Sequence, residues 1–218
     1  MKTATWQLRI VDAVSVERPP IDQLVADLVH ATGPVSYNYQ FGADRRLFDL
    51  LVRASWQMPE TLFAAATSRI ALYDDEPCGI EIGFEGAKFY SYKTNLATAA
   101  YPMVERGEIA LEDLMSLGAR TAQASYLNAH IPDNVYYIHA LSVLPRFRGR
   151  RVGVRLMEAA IERACKGGFS EVQLDILSDN PAIDFYRAMG LCVVVETTSP
   201  ILTGDHGFPS EFRMAISI

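Results

Sequence analysis

Several functional classes are removed by what the chain does not contain. Its three cysteines, Cys78, Cys165 and Cys192, are widely separated and odd in number, which rules out a disulfide framework and leaves no Cys-x-x-Cys pair for metal or redox work. They read as reduced thiols, mostly buried. The four histidines, His30, His130, His139 and His206, include no pair at metal-ligand spacing, so no metal is expected. The longest charge-free stretch, 28–43, contains Gly33, Pro34 and Asn38 and falls short of the roughly 18 apolar residues of a membrane span. Residues 1–10 mix Lys2, Gln7 and Arg9 into their apolar positions and so lack the apolar stretch of a secretory leader; the expected location is cytoplasmic. Gly-x-x-x-x-Gly-Lys, Gly-x-Gly-x-x-Gly and Gly-x-Ser-x-Gly are all absent, which excludes a P-loop, a dinucleotide fingerprint and a serine-nucleophile elbow. Basic residues are in deficit: 20 Lys plus Arg against 26 Asp plus Glu give a net charge of −6, an argument against wholesale binding of nucleic acid or an anionic membrane.

What remains is a globular composition, half hydrophobic and 21% charged over 218 residues, expected to form a single domain. The pattern alternates strands and helices. Thr5 to Val11 reads as a strand. Pro19 and Pro20 start a helix whose stripe is Ile21, Leu24, Val25, Leu28 and Val29, ending near Gly33. A second helix carries Leu47, Phe48, Leu50, Leu51 and Trp56, with Asp44 as N-cap and Pro59 closing it. Arg69 to Tyr73 and Cys78 to Phe84 form a hairpin across an Asp-Asp-Glu-Pro turn. Within 86–134 two helices are expected, Tyr90 to Val104 and Leu111 to Leu127. Then come a strand at Tyr136 to Val143, a helix at Val152 to Lys166, a strand at Glu171 to Leu177, a helix at Ala182 to Met189, and strands at Leu191 to Thr197 and Phe212 to Ile218. Gly204-Asp205-His206-Gly207 reads as a turn. Such alternation predicts an α/β or α+β sheet with helices on its faces.

The densest chemical signal is Leu144-Pro145-Arg146-Phe147-Arg148-Gly149-Arg150-Arg151-Val152-Gly153-Val154. Five arginines fall within 146–155 of a net-acidic chain, at the start of a helix. A helix N-terminus offers unpaired N–H groups and the positive pole of the dipole, and both favour phosphate oxygens. Gly149 and Gly153 allow close backbone approach. The alternative is a solvated basic loop that merely begins a helix.

This strand, loop and helix resemble motif A of the GNAT acyltransferases, Arg/Gln-x-x-Gly-x-Gly/Ala after a Val-x-Pro strand end: Val143, Pro145, Arg148 and Gly153 fit, while Arg151 stands where the family usually has its middle glycine. Asn180-Pro181-Ala182-Ile183-Asp184-Phe185-Tyr186-Arg187-Ala188-Met189-Gly190-Leu191 resembles motif B through Asn180, Ala182, Phe185, Tyr186 and Gly190, with Leu191 in place of the usual Phe. The ordered pair covers about residues 136–198.

The resemblance implies the GNAT fold, one mixed sheet of about seven strands with helices on both faces and a splayed parallel strand pair that holds acetyl-CoA. It divides the domain into an acceptor-side half at 1–134, with a helical insertion at about 86–134, a cofactor core at 135–198 and a closing strand at 199–218. It implies cofactor contacts from Leu141, Ser142, Val143, Arg148, Gly149, Arg150, Arg151, Val152, Gly153, Val154, Asn180, Ala182, Phe185 and Tyr186. The N–H of Val143 would polarise the thioester carbonyl, and the Tyr186 hydroxyl would protonate the leaving thiolate. Ile138-His139-Ala140-Leu141-Ser142-Val143 is similar to the equivalent strand of serotonin N-acetyltransferases, which makes His139 a candidate base; the other reading is a satisfied core histidine. Simple alternation puts Tyr137, His139, Leu141 and Val143 on one face, a phase that a bulge would change.

Tyr37, Tyr39, Phe41, Tyr90, Tyr92 and Tyr101 are aromatic candidates for an acceptor pocket, and Glu81, Glu85 and Asp133 for attracting a cationic amine. The 86–134 segment suits a lid or a homodimer surface. The expected function is direct acetyl transfer from acetyl-CoA to a primary amine of a small metabolite, without metal, nucleic acid or membrane. The rival is a catalytically silent acyl-CoA sensor.

Overall fold

The computed structural model describes residues 7–16, 20–42 and 45–218; the expected strand start at Thr5, the helix start at Pro19 and the N-cap at Asp44 lie outside them. In chain order the elements are β1 (Leu8–Asp12), α1 (Pro20–His30), α2 (Pro34–Phe41), α3 (Arg46–Trp56), β2 (Ser68–Tyr73), β3 (Glu76–Glu85), α4 (Phe89–Glu105), α5 (Leu111–Ala124), β4 (Tyr136–Val143), α6 (Val152–Lys166), β5 (Glu171–Leu177), α7 (Ile183–Ala188), β6 (Cys192–Thr197), α8 (Pro200–His206) and β7 (Glu211–Ser217). The seven strands make one mixed sheet in the order β1-β2-β3-β4-β5-β7-β6. Among the described residues only β4 and β5 run parallel.

Local chemistry accounts for most of these elements. In α1, Ile21, Val25, Leu28 and Val29 are all buried, a stripe at helical spacing, and α3 adds Leu47, Phe48, Leu51, Val52 and Trp56 to the same core. On the opposite face α6 buries Val152, Leu156, Met157, Ala160 and Ala164. Tyr73 pairs with Glu76, so Asp74 and Asp75 form a two-residue hairpin loop. Both have positive φ, 49° and 64°, the geometry that matches strand twist and that Asp tolerates.

Two helices depart from expectation. Pro34 occupies the first turn of α2, and Gly42, at φ 88°, ends it; Ser36, Asn38 and Gln40 interrupt its apolar positions, so no stripe announced it. The expected turn at Gly204 to Gly207 belongs largely to α8, where the Ser199 hydroxyl accepts from the Leu202 N–H and Gly207 terminates the helix at φ 68°. The cysteines also correct the expectation, because Cys78 is buried but Cys165 and Cys192 are exposed. Cys165 follows core-facing Ala164 on the outer side of α6, and Cys192 begins the edge strand β6.

Register between β3 and β4 decides what each face of β4 carries. Ile82 pairs with Ala140 and the next pair is Gly83 with Ile138, so His139 is the extra residue of a bulge. Tyr137 and Ala140 join the core under α1 and α3, whereas Leu141 and Val143 pack toward α6 with Val152 and Leu156. The four residues do not share a face as simple alternation expected.

Candidate active site

β4 and β5 are hydrogen-bonded only through Tyr136–Val172, Tyr137–Gln173 and Ile138–Leu174. Beyond Ile138 the strands separate, although β4 runs on to Val143 and β5 to Leu177. The Leu144 N–H donates to the Cys78 carbonyl at 2.9 Å, which sets the antiparallel phase with β3. Alternation then aims the N–H and C=O of Leu141 and Val143 toward the gap. A cleft of about 980 Å³ opens there.

Of the expected cofactor residues, Leu141, Ser142 and Val143 form the β4 wall, Arg148, Gly149 and Arg151 to Val154 the helix end, and Asn180, Ala182, Phe185 and Tyr186 the opposite wall. Arg150 does not line it. Its guanidinium lies 5.3 Å from the Tyr73 ring centroid and 5.8 Å from that of Phe147, where cation–π attraction holds it on the far side of the bend. Arg146 pairs with Glu76, and Arg155 with Glu158 at 2.9 Å. The positive charge left to the cleft is therefore Arg148, whose Nε donates to the Val143 carbonyl at 3.3 Å, and Arg151.

Arg151 adopts φ 62° and ψ 13°, the left-handed region that favours glycine. The first N–H bond back into α6 is Arg155 to the Arg151 carbonyl at 3.1 Å, so the N–H groups of Val152 to Val154 have no acceptor within the helix. A Cβ on Gly153 would meet Phe185 Cζ at 3.5 Å and Val143 Cγ2 at 3.8 Å. Those are ordinary contacts, so the protein's own packing does not require glycine there. The Ser142 hydroxyl is committed to the Leu28 carbonyl at 2.6 Å. Asn180 Oδ1 accepts the Ala182 N–H at 2.9 Å and orders the turn into α7.

Of the cleft groups expected to act, two have altered acidity. Burial pushes the Tyr186 phenol up to about 12, so the hydroxyl stays protonated at neutral pH. His139 sits among Phe63, Phe84, Phe89 and Tyr137, with ring centroids 5.3 to 6.3 Å away. Burial lowers its imidazole to about 4, and Nε2 is buried without a hydrogen-bond partner.

The proposed acceptor residues lie elsewhere, because none of the six aromatics, and none of Glu81, Glu85 and Asp133, lines the cleft. Tyr37 packs on Phe48, Tyr39 on Phe208, Phe41 on Phe48, Tyr92 on Phe84, and Tyr90 stacks on His130; Tyr101 is exposed. Glu81 is fully buried toward α6, paired with Arg163 at 2.8 Å and accepting from the Tyr136 hydroxyl at 2.9 Å. The 86–134 segment contributes no lining residue either; the loop at 31–33 and the first residues of α2, Pro34 to Ser36, do.

Sequence reasoning missed Asp175 and Glu211, both on the cleft wall. Asp175 accepts from the Tyr137 hydroxyl at 2.9 Å and pairs with Arg213, itself almost fully buried. Burial and the Asp175 charge push the Glu211 carboxyl up to about 7, against Asn128 and Arg213. The signal was available as charged residues inside apolar strands, which are buried only when partnered.

Residues 118–191 match the family model described as the acetyltransferase (GNAT) family. A solved structure described as an acetyltransferase shares 18% identity at a TM-score of 0.65, over 97% of this chain and 99% of that one. An N-acetyltransferase from Staphylococcus aureus Mu50 shares 14% at a TM-score of 0.68, over 95% and 100%. The NatC complex bound to Gag peptide and CoA shares 13% at 0.51, over 98% of each chain. No curated protein matches the sequence.

Proposed function

We propose that this chain, with the GNAT fold and the family's sequence match over residues 118–191, transfers an acetyl group from acetyl-CoA directly to a primary amine of a small cytoplasmic metabolite. The observation that carries this reading is the separation of β4 from β5 after Ile138, directly beside the N-terminus of α6. Among the described residues no helix is long and apolar enough to cross a membrane.

The residues fit the nucleotide thioester at each point. Inward-aimed Leu141 and Val143 backbone groups match the pantetheine amides; the N–H groups of Val152 to Val154, with Arg148 and Arg151, match the diphosphate. Gly153, free of internal steric demand, leaves room for a close approach. The NatC relative is described with CoA bound, which supports the same ligand here. When bound, acetyl-CoA supplies an activated acyl carbon.

The Val143 N–H is the donor for the carbonyl oxygen as charge develops on it, an interaction worth about 100- to 1000-fold in rate. Tyr186, held protonated, donates its hydroxyl to the departing sulfur. Because a thiolate of ordinary pKa near ~8.5 is a weaker base than this phenolate, Tyr186 acts by hydrogen bonding and relay rather than by remaining ionised. Holding the two substrates together is worth about 7 to 11 kcal/mol, against roughly 3 to 5 for proton transfer, so positioning dominates.

Thermal unfolding with and without acetyl-CoA, followed by thiol release across a panel of primary amines, tests the proposal. Stabilisation by acetyl-CoA together with amine-dependent thiol release is expected. Stabilisation without release from any amine would favour the silent sensor, and no stabilisation at millimolar acetyl-CoA would end both readings.

A further inference from the structure

We propose that Glu211 is the residue that pairs with the acceptor's ammonium group and takes its proton, an inference that rests on the acetyl-transfer reading above. Glu211 opens β7, opposite Leu177 of β5 and Thr197 of β6, and lines the cleft shared with Tyr186 and Val143. Among the described residues a single side chain bonds its carboxylate: Asn128 Nδ2 donates to Oε2 at 2.7 Å. Its neighbour on the wall, Asp175, is consumed by the Tyr137 hydroxyl and the Arg213 guanidinium. Arg213 is consumed in turn, donating to the Ala129 carbonyl at 2.8 Å and the His130 carbonyl at 3.0 Å as well. Glu211 thus keeps an oxygen to offer, next to a cation that is already neutralised.

The charged and titratable groups facing it are Asp175 from β5, Arg213 from its own strand and Tyr137 from β4. Burial and Asp175 raise its proton affinity toward that of a base working at neutral pH, the range in which proton abstraction is most effective. His139 is less suited, since its aromatic cage leaves the imidazole with little affinity for a proton. The ammonium passes one proton to Glu211, directly or through one water, and Glu211 returns it to solvent. The free amine then forms the N–C bond as the C–S bond breaks, and its second proton reaches the thiolate through Tyr186.

The experiment is the pH dependence of kcat/KM for thiol release from acetyl-CoA by the full chain, with phenethylamine, putrescine and alaninamide as probes. The wild type is expected to show an inflection near neutrality. Glu211→Gln should lower kcat/KM at pH 7 about 100-fold and erase that inflection, while acetyl-CoA binding measured by calorimetry stays unchanged. Asn128→Ala, at an exposed position, removes the bond that favours the ionised carboxylate, so the inflection should move to higher pH. Retention of rate and inflection in Glu211→Gln would overturn the proposal, as would an unmoved inflection in Asn128→Ala should the first variant not fold. A wild type that binds acetyl-CoA but acetylates no probe would remove the transfer reading and this inference together.

Discussion

Arg213 stands directly opposite Asp175 across the β5–β7 ladder, with Nη2 2.8 Å from Oδ2 and both side chains almost free of solvent, 2% and 7% exposed. Two strands of the cleft wall are thereby joined by a charge pair that water does not screen. Removing one partner of such a pair strands the other, at a cost of about 3 to 5 kcal/mol. Arg213→Met should show that loss in urea unfolding. The double variant Asp175→Leu/Arg213→Met should recover much of it, since no lone charge remains.

Tyr186→Phe deletes a single hydroxyl from a buried ring, so acetyl-CoA affinity by calorimetry is expected to stay constant. The turnover number should fall by about 100-fold or more if the hydroxyl serves the leaving sulfur. Unchanged kcat with a good acceptor would reduce Tyr186 to a packing residue beside Phe185.

His139 ties stability to acid. The unfolded imidazole takes a proton near its ordinary value of 6.5 and the folded one only near about 4, so its contribution is complete above 6.5 and is lost as pH falls through that window. The amount is on the order of 3 kcal/mol. Urea midpoints measured from pH 7 to 4 should fall less steeply in His139→Phe than in the wild type; parallel curves would mean that His139 takes up a proton as readily in the fold as in the unfolded chain.

Arg151→Gly separates backbone cost from phosphate contact. Relief of a left-handed arginine is worth roughly 1 to 2 kcal/mol, partly offset by the greater unfolded freedom of glycine, so the free protein should gain about 0.5 to 1 kcal/mol in unfolding experiments. Loss of the guanidinium should at the same time weaken binding of CoA in calorimetry. If CoA binds as tightly to the variant, Arg151 faces away from the diphosphate in solution.

How far the chain could be read without its fold follows from the range of each cue. The stripes of α1, α3 and α6 and the strand at Tyr136–Val143 were legible because helix and strand periods are written within a few residues. The strand, loop and helix over 136–166 and the turn into α7 were legible for a similar reason, as each is a short unit whose cues lie close together in sequence. α2 was not, because its polar residues break the apolar stripe.

The amino-acid order alone determined where the arginine-rich bend before α6 lies, since five arginines mark it and Gly149 takes its φ of 75° without strain. Tertiary structure decided the rest: the bulge that turns His139 into an aromatic cage, the gap between β4 and β5, and the meeting of Asp175, Arg213 and Glu211 with Asn128. Register between strands and the desolvation of a charge depend on partners that are distant in sequence. No local pattern specifies which carboxylate is paired with a buried guanidinium and which lines the cleft beside it.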